Sequence, residues 1–139
     1  MITDRPDRLV IRDVALIDAT GRDPEGRVDV LLEAGRIARV GHVGEVADGV
    51  AAIDGSGTTL LPGLTDAHVH FALIGTKGDH GTDPWIVHVL DVSTVIEDAL
   101  QEGFTTVRDA GGLEPAWAQA VAQGKLRGPR ILPAGSPLS

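Results

Sequence analysis

Three residues in one short run have the types and spacing to do chemistry. Asp66, His68 and His70 alternate within residues 60–71, LLPGLTDAHVHF. In a β-strand successive side chains point to opposite faces, so this spacing predicts Asp66, His68 and His70 on one face and Ala67, Val69 and Phe71 on the other. Two imidazoles would then converge on one point. Neutral imidazole is a common ligand of zinc and similar divalent metals, and a pair on one rigid strand presets half of a tetrahedral or five-coordinate shell. Asp66 lies two residues deeper, where a carboxylate is better placed to accept a hydrogen bond from an imidazole, or to act in a metal's outer shell, than to coordinate directly. The plainer reading is a buried carboxylate satisfied by nearby donors. A chain with five histidines also produces such a pair by chance, so the context of the pair decides its weight.

Other candidates have looser surroundings. His80, in the GDHG of residues 78–81, and Lys77 fall in a segment rich in Gly, Thr and Asp that reads as a loop, where either could approach a substrate or simply be solvated. His42 sits in a turn region and reads as a solvated surface residue. His88 and Trp85 lie on a helical stripe and read as core or helix-surface packing residues rather than as cofactor ligands. Asp109 ends a strand-like run and precedes Ala110-Gly111-Gly112. It either orients a metal ligand or substrate, or caps the turn that follows.

The elements that must position these residues are legible from periodicity. Up to residue 62 the chain reads as short strands: residues 9–17, then 28–32 and 36–40 around Glu33-Ala34-Gly35, then 51–53 and 58–61 around Asp54-Gly55-Ser56-Gly57. This pattern predicts a small β-sandwich. From residue 63 the character changes to alternating strand and helix: a strand ending at His70, a helix over 84–102, a strand over 104–108, a short helix over 113–123 with Pro115 in its first turn, and a strand over 130–134. That alternation predicts an α/β fold with a parallel sheet, divided as 1–62 and 63–139.

Composition narrows the function classes. Twelve Lys and Arg against 20 Asp and Glu give a net charge of −8, which argues against nucleic acid or an anionic membrane as partner. There is no cysteine, so a metal here has only nitrogen and oxygen ligands and no disulfide scaffold exists. The first residues, MITDRPDRLVIRD, are polar where a secretory leader would be apolar, and no run approaches 18 apolar residues. The expectation is a cytoplasmic protein.

Pro62-Gly63-Leu64-Thr65-Asp66-Ala67-His68-Val69-His70 resembles the first-barrel-strand signature of the metal-dependent amidohydrolase superfamily. Residues 103–112, GFTTVRDAGG, and 128–135, GPRILPAG, are similar to the second and third barrel strands of its imidazolonepropionase-like and prolidase-like branch, which includes dipeptidases. The resemblance implies a (β/α)₈ TIM-type barrel preceded by a β-sandwich, with His68 and His70 as metal ligands. It implies one or two divalent ions, zinc above all, that acidify a water for attack on an amide, peptide or cyclic amide bond. The substrate would be a small amide or dipeptide.

A complete barrel typically needs about 250 residues, and this chain has 139. It supplies about two and a half β/α units. The ligands the resemblance places on the fourth, fifth and sixth strands, and the catalytic aspartate on the eighth, have no counterpart here; Lys77 and Lys125 do not match the family's lysine. The expectation is therefore an N-terminal portion of a hydrolase that is inactive alone, or else a non-catalytic remnant that binds or assembles. An open parallel edge further predicts a marginal or homo-oligomeric isolated chain.

Overall fold

The computed structural model describes residues 6–21, 26–73 and 84–136. The chain divides into two compact units, Met1–Pro62 and Gly63–Ser139.

In the first unit β1 (Arg8–Leu16), β2 (Arg27–Glu33), β3 (Arg36–Gly41), β4 (Ala51–Asp54) and β5 (Thr59–Leu60) form one mixed sheet. Its order is β3-β2-β1-β4, with β5 also paired to β1. The β2–β3 hairpin closes through Ala34 and Gly35, at φ 48° and 73°, the doubly left-handed backbone that matches strand twist in a two-residue turn. Val10, Leu31 and Val43 form a small core, while Ile37, Val40 and Ile53 are exposed. The described residues thus make a single layer. The second layer that a sandwich requires is not among them.

A polar cluster pins an irregularity in β1. The β1–β2 register slips by one residue between Ile11 and Val14, and Asp13 takes φ 52°. Opposite the bulge, Asp29 accepts the Asp13 N–H at 3.1 Å and the Val43 N–H at 3.2 Å, and pairs with Arg12 at 2.9 Å. Arg12 also donates to the carbonyls of Val43 and Gly44. The Asp13 N–H, above all, holds the Asp29 carboxyl below its ordinary value against the opposing effect of burial, helped by the Val43 N–H and Arg12.

In the second unit β6 (Leu64–Val69), β7 (Phe104–Asp109) and β8 (Arg130–Pro133) form a parallel sheet in chain order. The crossovers are α1 (Trp85–Gln101) and α2 (Pro115–Ala122), with Pro115 in the first turn of α2. Val92 and Ile96 of α1 pack with Phe71, Val107, Leu113 and Ile131 in one buried cluster. Trp85, which the helical stripe suggested as a packing residue, is 74% exposed, as are Ile86 and Leu90 in large part. The inward face of α1 is carried by its second half. Gly63 is demanded by close approach rather than by turn geometry, since a Cβ there would lie 2.2 Å from the Thr105 side chain on the neighbouring strand.

Two outcomes are expected. Gly63→Ala should destabilise the second unit by about 1–3 kcal/mol in urea denaturation, through overpacking against a stiff β-branched side chain; a negligible change would contradict the packing described. Because folding depresses the Asp29 pKa, its contribution is present above the unfolded-state value of about 3.9 and is lost as pH falls through the folded value. Wild type should accordingly lose more stability on acidification across that window than Asp29→Asn does. Parallel losses would show that Asp29 does not carry the effect.

Candidate metal centre

The site is built at the C-terminal ends of three parallel strands. The β6–β7 register runs Asp66↔Val107 and then Val69↔Asp109, so one extra residue is accommodated in β6 between Asp66 and Val69. Such a bulge resets the alternation of faces. Asp66 therefore shares its side with Val107, Val69 and Phe71, which face α1 and the buried cluster, and His68 and His70 take the opposite face. A cavity of about 320 Å³ on the α1 side is lined by Asp66 together with Val69, Phe71, Asp98 and Glu102, and neither histidine borders it.

The expectation that Asp66 shares a face with both histidines is thus corrected: strict alternation fails where the strand bulges. The Asp66 Oδ1 instead accepts the backbone N–H of His68 at 2.9 Å, holding the strand at the bulge.

The imidazoles do converge. His68 Nε2 and His70 Nε2 lie 3.1 Å apart, with the rings edge to face at 73°. His70 Nδ1 lies 2.9 Å from the Gly111 carbonyl. A carbonyl oxygen only accepts, so Nδ1 carries the proton and the lone pair of neutral His70 sits on Nε2, pointing at His68. With the His70 lone pair on Nε2, a hydrogen bond across this contact would have His68 Nε2–H as its donor. The donor set suits a divalent ion: at 3.1 Å both nitrogens can reach one centre at about 2.0–2.1 Å, and one imidazole already has its distal N–H anchored. Among the described residues no group of three or more His, Asp or Glu joins them.

Asp109 is fully buried. Its Oδ2 accepts the Phe71 N–H at 2.8 Å, and its Oδ1 accepts the N–H groups of Gly111 at 3.0 Å and Leu113 at 3.3 Å. Of its two readings, the capping of the turn after β7 is what the contacts display, with a tie to Phe71 added. His80 and Lys77 lie outside the described residues. His42 is exposed in the first unit, His88 is half-buried on α1, and Lys125 is exposed after α2. The partner of His70 is a backbone carbonyl, which residue types do not announce; the one available signal was Gly111-Gly112, where a missing Cβ permits close backbone approach.

The described residues of the second unit thus form a parallel α/β sheet with two imidazoles gathered at its strand ends. No family model matches the chain. It is similar to a solved prolidase complexed with N-methylphosphonate-L-proline, at 32% identity and TM-score 0.83 over 95% of this chain and 33% of that one. It is also similar to a Xaa-Pro dipeptidase with methionine bound in the active site, at 27% identity and TM-score 0.81 over 95% and 34%. Among curated proteins, the dihydroorotase of Clostridioides difficile (strain 630) is 29% identical over 99 residues, 71% of this chain and 21% of that protein. The chain belongs to the amidohydrolase superfamily. It spans about a third of those two structures and a fifth of that dihydroorotase.

Removing the Asp66 acceptor should loosen the bulge without unfolding the unit. Asp66→Ala is expected to speed hydrogen exchange of the His68 amide and to lower stability by about 0.5–1.5 kcal/mol. Unchanged exchange would show that the carboxylate does not hold the strand there.

Proposed function

We propose that this chain is the N-terminal portion of a metal-dependent hydrolase acting on carbon–nitrogen bonds of small amides, with His68 and His70 as metal ligands. The observation that carries the reading is the 3.1 Å approach of the two Nε2 atoms, with His70 fixed from behind by the Gly111 carbonyl. In this reading residues 1–62 are the first part of a β-sandwich domain, and residues 63–139 are the first two and a half units of a (β/α)₈ barrel. The histidines then sit at the end of the barrel where catalytic groups gather. The substrate class is a dipeptide or a cyclic amide, supported by the likeness to a prolidase, a Xaa-Pro dipeptidase and a dihydroorotase. No helix among the described residues is long and apolar enough to cross a membrane, and the reading places the protein in the cytoplasm.

When bound, a divalent ion such as zinc supplies an acidified water and polarises the carbonyl under attack. This chain's own residues do the preparatory work. His70 presents a lone pair because its other nitrogen is protonated and anchored. His68 would reach the same centre in the tautomer that carries its proton on Nδ1 and leaves Nε2 bare. Catalytic zinc usually keeps three protein ligands and one open position. Two imidazoles are an incomplete set, and the reading takes the remaining ligands and the proton-transferring carboxylate from outside these 139 residues. Turnover accordingly belongs to the longer protein.

Zinc titration of the labelled chain, followed by NMR, tests this. The ring signals of His68 and His70 should shift together while those of His42 and His88 stay, and His68→Ala or His70→Ala should each weaken binding at least tenfold. In the longer protein the same substitutions should abolish hydrolysis. Zinc binding that is indifferent to both substitutions would overturn the assignment.

A further inference from the structure

The loops after all three parallel strands meet behind His70. The Gly111 carbonyl accepts from His70 Nδ1–H, and the N–H on the other side of that same peptide group, that of Gly112, donates to the Gly135 carbonyl at 2.9 Å. One peptide plane is therefore held at both ends, between the loop after β6 and the loop after β8. Hydrogen bonds linked through a peptide group polarise one another, so the pull of Gly135 on the N–H strengthens the carbonyl as an acceptor for the imidazole. Asp109 fixes the residues on either side of the plane: its Oδ1 accepts both the Gly111 N–H and the Leu113 N–H, while its Oδ2 takes the N–H of Phe71, immediately after His70. Asp109 touches neither imidazole in these contacts, yet it holds both the peptide that His70 donates to and the backbone that His70 hangs from. Gly112 has φ 100°, a conformation L side chains rarely adopt, so the plane's orientation depends on that glycine.

We propose that Asp109 is a positioning residue for the histidine pair, acting through the Gly111–Gly112 peptide to lock His70 in the tautomer that leaves Nε2 free for a metal. This rests on the reading of His68 and His70 as metal ligands. A carboxylate is suited to the task because when ionised it offers strong acceptors and no donor, and three backbone donors converge on it. Substitution by asparagine keeps the shape but turns an NH₂ group toward at least one of those N–H donors.

The tautomer can be read directly on the metal-free chain by ring-nitrogen NMR above neutral pH. In wild type His70 should be protonated on Nδ1 and bare on Nε2. Asp109→Asn should release His70 into a mixture of tautomers and lower zinc affinity about 10–100-fold, as expected for loss of a ligand-orienting partner. Gly112→Ala, which leaves Asp109 in place but strains the peptide, should do the same. A wild-type His70 protonated chiefly on Nε2 would overturn the proposal without any variant having to fold. So would Asp109→Asn or Gly112→Ala with a lower melting temperature but an unchanged His70 tautomer and zinc affinity, the signature of a merely structural carboxylate. If the wild-type tautomer is as stated and zinc does not bind, the metal reading fails and the positioning chain stands.

Discussion

Three backbone N–H groups converge on one buried carboxylate, and the geometry at the strand ends depends on that convergence. A buried charged group is tolerable only when fully hydrogen-bonded, and Asp109 meets the condition with donors from the segment after β6 and the turn after β7. The satisfaction is mutual, because the N–H groups of Phe71, Gly111 and Leu113 lie beyond the ends of β6 and β7 and would otherwise be orphaned in a dry setting. The carboxylate and the turn are in this sense one object. His70 is attached to it at the main chain and, through Gly111, at the ring.

The second constraint is the bulge in β6. A parallel strand with unbroken alternation would put Asp66, His68 and His70 on one side, and burying a carboxylate beside two imidazoles would change the chemistry of the pair. The extra residue between Asp66 and Val69 separates them: the carboxylate goes to the α1 side and restrains the main chain, and the imidazoles alone face the opposite side. Bulges recur where a strand must re-aim a side chain near a site. Here the device sorts a strand's polar residues into those that hold the backbone and those that present nitrogen lone pairs.

Much of this was legible in the sequence because it rests on local periodicity. The strand and helix alternation after residue 63 follows from apolar spacing and from Pro115, and the parallel sheet it implies is present. The histidine spacing sufficed to bring two imidazoles together, since His68 and His70 flank Val69, where the pairing with β7 is regular again. The placement of Asp66 was not legible, because a bulge is set by pairing with another strand rather than by the residues that bulge. Nor was the partner of His70, a main-chain carbonyl 41 positions away. Trp85 shows the same limit for helices: an apolar stripe says which residues can pack, and the neighbouring layer decides which do.

The central claim is that His68 and His70 share a metal ion. The most direct measurement is anomalous X-ray diffraction from crystals of the chain soaked in zinc. The account predicts one strong peak about 2.0–2.1 Å from both Nε2 atoms, with the Gly111 carbonyl still accepting from His70 Nδ1. Zinc found elsewhere, with the two imidazoles still hydrogen-bonded to each other, would contradict it.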